Sequence, residues 1–424
     1  MPLALWALAI GAFGIGTTEF VVTGVLPGIA DEFGVSISAA GYIATVYAMG
    51  VFVGAPLTTA IGTRIERKRM LAALMVLFVV GNLITAVAPT FGVLLVGRVV
   101  TSLTHGAFFG IGAVVAADLV APNKRASAIA FMFTGLTIAN VVGVPAATLL
   151  GQSVSWRATY GVITVLGVIG LIGILTLVPG GSTPKGARIR PELAAFTNPQ
   201  VLLAMAMTVL GFGGVFVSIT YIAPMMVEVA GFAESSVTWL LMLFGVGMVV
   251  GNSLGGRFAD RALMPMLYTA LAALSVVLLA FTWGAHSAIA SAVLVFLVGA
   301  FGFATVPPLQ KRVMDKAAGA PTLASAMNIG FFNLGNAIGA WLGGFVIAQG
   351  FGLTAPNWAG AVLPAGALLL AVLSAALDRR DAARQARART DPLKARARAG
   401  SAPDHGLGPH QELSEIPVVR DSGL

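Results

Sequence analysis

The chain has 424 residues, 57% of them apolar and only 10% charged, with a formal net charge of +8. Soluble proteins carry about 25% charged residues, so this much apolar surface does not fit inside one water-soluble core. The lack of cysteine excludes disulfides, thiol catalysis and thiolate metal sites, and His105, His286, His405 and His410 have no zinc-like spacing.

Apolar runs long enough to cross a bilayer, at ~20 residues per span, recur along the whole sequence. In lipid every backbone polar group must be satisfied inside the protein, which makes these runs helices. Turn and charge signals divide them into twelve, at roughly 3–26, 38–60, 70–88, 91–117, 125–151, 160–178, 200–226, 236–256, 264–284, 287–309, 322–349 and 355–377. The first has no basic n-region and no clear cleavage site, and is expected to be retained rather than removed as a signal peptide. Pieces such as Ala88-Pro89-Thr90 and Ala121-Pro122-Asn123 mark short connections.

Of the 25 Lys and Arg, all but Arg98 and Arg157 fall on one side of this helix order, while Asp31, Glu32, Glu228 and Glu234 lie on the other. The positive-inside rule then puts both termini in the cytoplasm. It also turns the +8 into a topology signal, with no nucleic-acid partner implied.

The polar stretch 180–199 divides the helices six and six. The expected organisation is an N-terminal six-helix bundle at 1–179, a cytoplasmic linker at 180–199 and a C-terminal bundle at 200–378. A basic tail at 379–424 is read as disordered and solvated. The halves repeat at an offset of 197 positions: Gly50–Gly54 with Gly247–Gly251, Pro27 with Pro224, Arg64 with Arg261, and Asp118 with Asp315. The predicted fold is therefore an all-α polytopic membrane protein of two pseudo-symmetric bundles, a parallel repeat with its substrate site between the halves.

Among the 17 acidic residues, Glu19 alone lies deep in a predicted span. A carboxylate there costs roughly 2.5–3.5 kcal/mol on insertion scales, which makes it a functional candidate. Glu19 and Arg98 each stand about seven residues, ~10 Å, below the predicted outer ends of helices 1 and 4, so an ion pair or a water-bridged pair is open to them. Arg98, Thr101 and His105 share one face of helix 4, and Glu19 with His105 would make a short proton relay. Glu19 reads as a proton carrier or as a strut to Arg98, the carrier being preferred. Arg98 reads as a fixed charge that orients the helices, and His105 as a structural histidine or a proton or substrate contact. Thr23, Thr101, Asn140, Phe212, Phe216, Tyr221 and Asn333 are the substrate-cavity candidates. Asn328 and Asn336, like Asn140 and Asn333, are also read as interhelical glue.

Three stretches carry a family resemblance: Gly14-Ile15-Gly16-Thr17-Thr18-Glu19-Phe20 with Gly24 and Pro27, the run from Arg98 to Gly110, and Gly143-Val144-Pro145 through Gly151. With them the chain resembles the major facilitator superfamily over residues 1 to about 378. More narrowly it resembles the twelve-helix drug:proton antiporters, in the branch of arabinose-efflux-permease-like, sugar-efflux and chloramphenicol-exporter proteins. The resemblance implies a secondary active transporter of the bacterial inner (plasma) membrane that exports drug-like or sugar-like molecules by proton antiport and alternating access. The alternative is uncoupled facilitation of sugars or nucleosides. It implies no enzymatic activity, cofactor or metal. The expected partners are a small-molecule substrate, protons and membrane lipid, around a monomer. It assigns gating to Arg64, Asp118, Gly143, Pro145, Asp260 and Arg261. The loop motif after helix 2 departs from the family pattern, with Thr63 where an Asp belongs; the second copy keeps Asp260.

Overall fold

A computed structural model describes residues 2–62, 65–121, 125–181, 198–317 and 321–390. Thr63, Arg64, most of the 180–199 linker and the tail past 390 lie outside the described residues. Among the described residues, twelve helices have the length and composition to cross a membrane: α1 (Leu3–Phe20), α2 (Ile37–Thr58), α3 (Arg67–Ala86), α4 (Phe91–Asp118), α5 (Ala128–Ser153), α6 (Trp156–Leu177), α7 (Pro199–Ile219), α8 (Ser236–Arg261), α9 (Leu263–Gly284), α10 (Ala288–Lys316), α11 (Met327–Ala348) and α12 (Ala355–Arg380). The described residues up to Ser374 belong to one compact unit and those from Ala375 to Thr390 to a second.

The first helix departs from its predicted boundary. It does not end near residue 26 but breaks at Val21 and resumes as Val22–Phe33 around Pro27. Pro27 has no N–H to return to the carbonyl of Thr23. One turn earlier, Gly24 N–H bonds Val21 O, three residues back, and the Thr23 hydroxyl donates to Phe20 O at 2.8 Å. The left-handed Gly34 (φ 61°) closes the extension, a conformation that costs glycine nothing.

The second half repeats this device. After α7 the chain breaks at Thr220-Tyr221, where Tyr221 N–H bonds Ser218 O, just ahead of Pro224. The fourth helix of each half is also broken. The Thr104 hydroxyl donates to Thr101 O at 2.7 Å in α4, and the Thr305 hydroxyl to Gly302 O at 2.6 Å in α10. At the offset of 197 the match reaches a single hydrogen bond in the first helix of each half, Gly24 to Val21 against Tyr221 to Ser218. α10 runs to Lys316 instead of 309, because Pro307 and Pro308 open its second segment, where a missing N–H is tolerated. The last helix continues to Thr390, past the predicted 377.

The fifth helix has no counterpart device in α11. It carries a π-bulge at Ala139–Gly143, in which Val144 N–H reaches back to Ala139 O. The bulge stands just before Pro145, whose ring cannot donate to the regular ladder. Single-turn π-bulges of this kind concentrate at functional sites.

Most buried apolar residues fall into one large cluster whose first-half members run from Ala4 to Val178 and another whose second-half members run from Val201 to Ala371, with a small third around Val217, Val346, Ala355 and Ala359. Tyr221 and Ala340 belong to the first, Phe20 and Val144 to the second. These four mark where the two groups of helices meet. Across that seam α2 packs on α11 and α5 on α8. Within the first group, α1 packs on α5 and α6, and α3 on α4 and α6. That arrangement gathers the polar residues of α1, α2, α3, α4 and α6 at one level.

Candidate functional site

The polar residues inside the first six helices form one chain of contacts. Asn82 of α3 anchors its amide on Phe78 O at 2.9 Å. Its Oδ1 accepts from the Thr18 hydroxyl of α1 at 2.7 Å. Thr18 Oγ1 in turn accepts from Arg98 Nη1 of α4 at 3.0 Å. The Arg98 guanidinium lies 4.2 Å over the Tyr47 ring of α2 and 5.6 Å from the Tyr160 ring of α6. Tyr47 then continues the chain through its hydroxyl, 3.2 Å from His105 Nδ1. Which of those two donates depends on where the His105 proton sits.

Glu19 stands at the end of this chain, its carboxylate 4.0 Å from His105 Nδ1 and its side chain only 10% exposed. No ion pair joins Glu19 to Arg98 among the described residues. The matching depth inferred for the two brings their backbones together, since Thr18 receives the guanidinium. The carboxylate of the next residue projects elsewhere, because neighbours one apart on a helix do not share a face. Arg98 is fully buried, and its Nε and Nη2 have no acceptor among the described residues. Two aromatic faces compensate part of that, at about 0.5–2 kcal/mol each. A buried cation without a counter-charge otherwise costs several kcal/mol.

Thr18 is the pivot of this arrangement. In Thr18→Val, a buried Arg98 donor and a buried Asn82 acceptor both lose their partner, at about 1–3 kcal/mol each. The thermal unfolding midpoint of the purified protein in detergent is expected to fall. Adding Asn82→Leu, which replaces the second orphan with an apolar group, is expected to recover part of the loss.

The cavity candidates divide. Thr23 and Thr101 spend their hydroxyls on Phe20 O and Gly97 O, and both are buried. Thr101 fills the α3–α4 seam against Gly81. Tyr221 donates to Ala340 O at 2.7 Å and sits in a slot that leaves no room for a Cβ at Gly41 or Gly344. Tyr221 is therefore a packing element between α2 and α11, with Ser38 Oγ donating to Gly344 O at 2.8 Å beside it. Phe212 and Phe216 belong to an aromatic cluster in which Phe212 meets Phe303 at 5.1 Å and Phe332 at 5.2 Å, and Phe216 meets Phe20 at 5.5 Å. Asn140 and Asn333 anchor their amide nitrogens on Leu136 O and Ile329 O, one turn back. Asn333 and Asn336 each keep a buried side-chain oxygen without a partner. The polar chain of the first half and the aromatic cluster of the second meet at Glu19-Phe20.

The gating candidates are spread along the protein. Asp118 accepts from Arg67 Nη1. Asp260 accepts from Lys311 Nζ at 3.1 Å, a partner on the neighbouring α10 and not in the other half. Arg261 is exposed and makes no ion pair among the described residues. Gly143 lets α5 approach Thr17 and Phe13 of α1, and Pro145 follows the π-bulge. Arg64 lies outside the described residues. Arg157, one of the two basic residues off the main side, is held by Glu32 at 2.7 Å.

Sequence reasoning missed Thr18, Tyr47, Asn82 and Tyr160. The available signal was their polarity inside apolar spans, Tyr47 and Tyr160 being two of only five tyrosines. No group of His, Asp and Glu among the described residues is arranged to hold a metal ion.

Residues 8–329 match the Major Facilitator Superfamily. The chain is 47% identical over 371 residues to the inner membrane transport protein YdhP of Escherichia coli, covering 88% of this chain and 95% of that one. It is 35% identical over 375 residues to a chloramphenicol resistance protein of Streptomyces lividans, covering 88% and 96%. The fold superposes on a D-xylose-proton symporter with a TM-score of 0.70 at 14% identity, over 87% and 96% of the two chains. The chain is a multi-pass inner membrane protein and belongs to the Major Facilitator Superfamily of transporters.

Proposed function

We propose that this protein exports small amphipathic, drug-like or sugar-like molecules by proton antiport and alternating access, with both termini in the cytoplasm. The observation that carries the proton role is Glu19. Within the broken helix that runs from Leu3 to Phe33, Glu19 stands near the middle with its side chain only 10% exposed, whereas Asp31 and Glu32 stand in the last turn of that helix and Asp118, Asp260, Asp315 and Asp378 in the last turn of their spans. No arginine or lysine forms an ion pair with Glu19 among the described residues, and His105 stands beside it. Glu19 is the proton carrier, with His105 and Tyr47 as the polar path beside it and Arg98 as a fixed charge.

Export, rather than uptake, is supported by relatives named as a chloramphenicol resistance protein and as a probable sugar efflux transporter of Mannheimia succiniciproducens, the latter 30% identical over 366 residues. Neutral, moderately amphipathic molecules suit the pairing of one polar wall with the cluster of Phe20, Phe212, Phe216, Phe303 and Phe332. Aromatic faces supply apolar contact, and a few hydrogen-bonding groups fix orientation.

The test is uptake into everted vesicles from cells expressing the chain, driven by an imposed pH gradient, with chloramphenicol and a sugar panel as substrates. Accumulation that collapses with the gradient supports antiport. Counterflow without any pH dependence would establish the uncoupled facilitator instead.

A further inference from the structure

An apolar groove of about 570 Å³ runs down the outside of the second half, between α8, α9 and α10. Its α8 wall is Val250, Leu254 and Phe258, whose side chains are 37–47% exposed, with Arg261 at one end. Pro265, Met266 and Thr269 of α9 and Phe301 of α10 close it. From Val250 to Arg261 the groove follows α8 for ~16 Å. That is half of a ~30 Å hydrocarbon core, so it spans one leaflet, apolar toward the midplane and cationic at the edge. The neighbouring acid does not neutralise that end, because Asp260 is taken by Lys311. Arg257, one turn back on the same face, adds a second exposed cation.

We propose that this groove is a binding site for one anionic phospholipid of the cytoplasmic leaflet, its acyl chain along Val250, Leu254 and Phe258 and its phosphate on Arg261. The leaflet assignment rests on the orientation proposed above; the binding itself does not. The groove matches both halves of such a ligand: exposed apolar surface on a membrane span faces lipid tails, and a juxtamembrane arginine attracts an anionic headgroup by about 1 kcal/mol.

The experiment is native mass spectrometry of the detergent-purified full chain, titrated with phosphatidylglycerol and with phosphatidylcholine. One phosphatidylglycerol is expected to bind about five-fold tighter than phosphatidylcholine. Arg261→Gln is expected to erase that preference, and Arg257→Gln to leave most of it. Thr269→Trp, at an exposed wall position, is expected to weaken both lipids at this site by filling the groove. Thermal midpoints of the three variants verify that each is folded. A preference unchanged in Arg261→Gln, or lost equally in Arg257→Gln, overturns the site. Full competition by glycerol phosphate would mean a free phosphate ligand, and a dimer abolished by Thr269→Trp would mean a second copy in the groove; either result overturns the lipid. Labelling of Ala262→Cys in this cysteine-free chain with an impermeant maleimide tests the leaflet separately.

Discussion

Glu19→Gln is expected to abolish transport driven by a pH gradient while leaving substrate counterflow intact. Glutamine keeps the length of the side chain and one accepting oxygen but carries no proton. A carrier that must load and unload a proton at this position loses its coupling, and the halves remain free to exchange with a side chain that is always neutral. Placing a charged carboxylate inside a span costs roughly 2.5–3.5 kcal/mol, so the neutral variant is expected to unfold at no lower temperature than the parent. The strut reading makes the opposite forecast, with stability and counterflow falling together. Two observations weigh against the strut. Arg98 is engaged by Thr18, Tyr47 and Tyr160, and the His105 contact at 4.0 Å exceeds hydrogen-bond range. Measuring gradient-driven uptake, counterflow and thermal midpoint on one preparation separates the two readings. Gradient-driven uptake equal to the parent's would remove Glu19 from the coupling mechanism.

Gly245→Val is expected to stop transport by a different route. In α8, Gly245 lies directly against the Asn140 carbonyl, inside the π-bulge of α5, and any Cβ would overlap that peptide. Backbone cannot swing aside as a side chain does, so overpacking here destabilises the closed contact by about 1–3 kcal/mol. In a two-state equilibrium this is a shift of roughly 5–150-fold away from the state described here. The contact joins the two groups of helices, so the shift is expected as a longer distance between spin labels at Ser153 and Ser235, near the adjoining ends of α5 and α8. The native chain has no cysteine, so both labels can be placed without background. Gly245→Ala is expected to move the distribution in the same direction by less. A distribution unchanged in Gly245→Val would mean that this contact does not move during the cycle.

The aromatic cluster and the polar chain divide the labour of the seam unequally. Phe20 of α1 and Phe216 of α7 touch across it, next in sequence to Glu19, so a molecule that separates the rings also reaches the carboxylate. A substrate that displaces Phe20 would thereby alter the surroundings of the proton site, which is the coupling an antiporter requires.

Composition and spacing alone determine a great deal of this protein. Twelve apolar runs, the asymmetry of Lys and Arg, and the repeat at 197 positions are read along the chain, because lipid admits only helices and tolerates few charges. Glu19, Arg98 and His105 stand out for the same reason: each is polar where polarity is expensive. Helix ends were less legible. Proline and glycine bend a membrane helix as readily as they end it, so the first helix continues past Pro27 to Phe33 and α10 past Pro307. Pairing inside the membrane was not legible at all. Equal depth suggested Glu19 with Arg98, yet a one-residue step turns a side chain by about 100°, and it is Thr18 that meets the arginine. Tyr47, Asn82 and Tyr160 come from three other helices, hidden among residues whose polarity alone does not say which face they take. Sequence determined what may sit in the membrane, through transfer energies that each residue meets singly. Tertiary structure decided which polar groups satisfy one another, because that depends on the rotation of five helices at once.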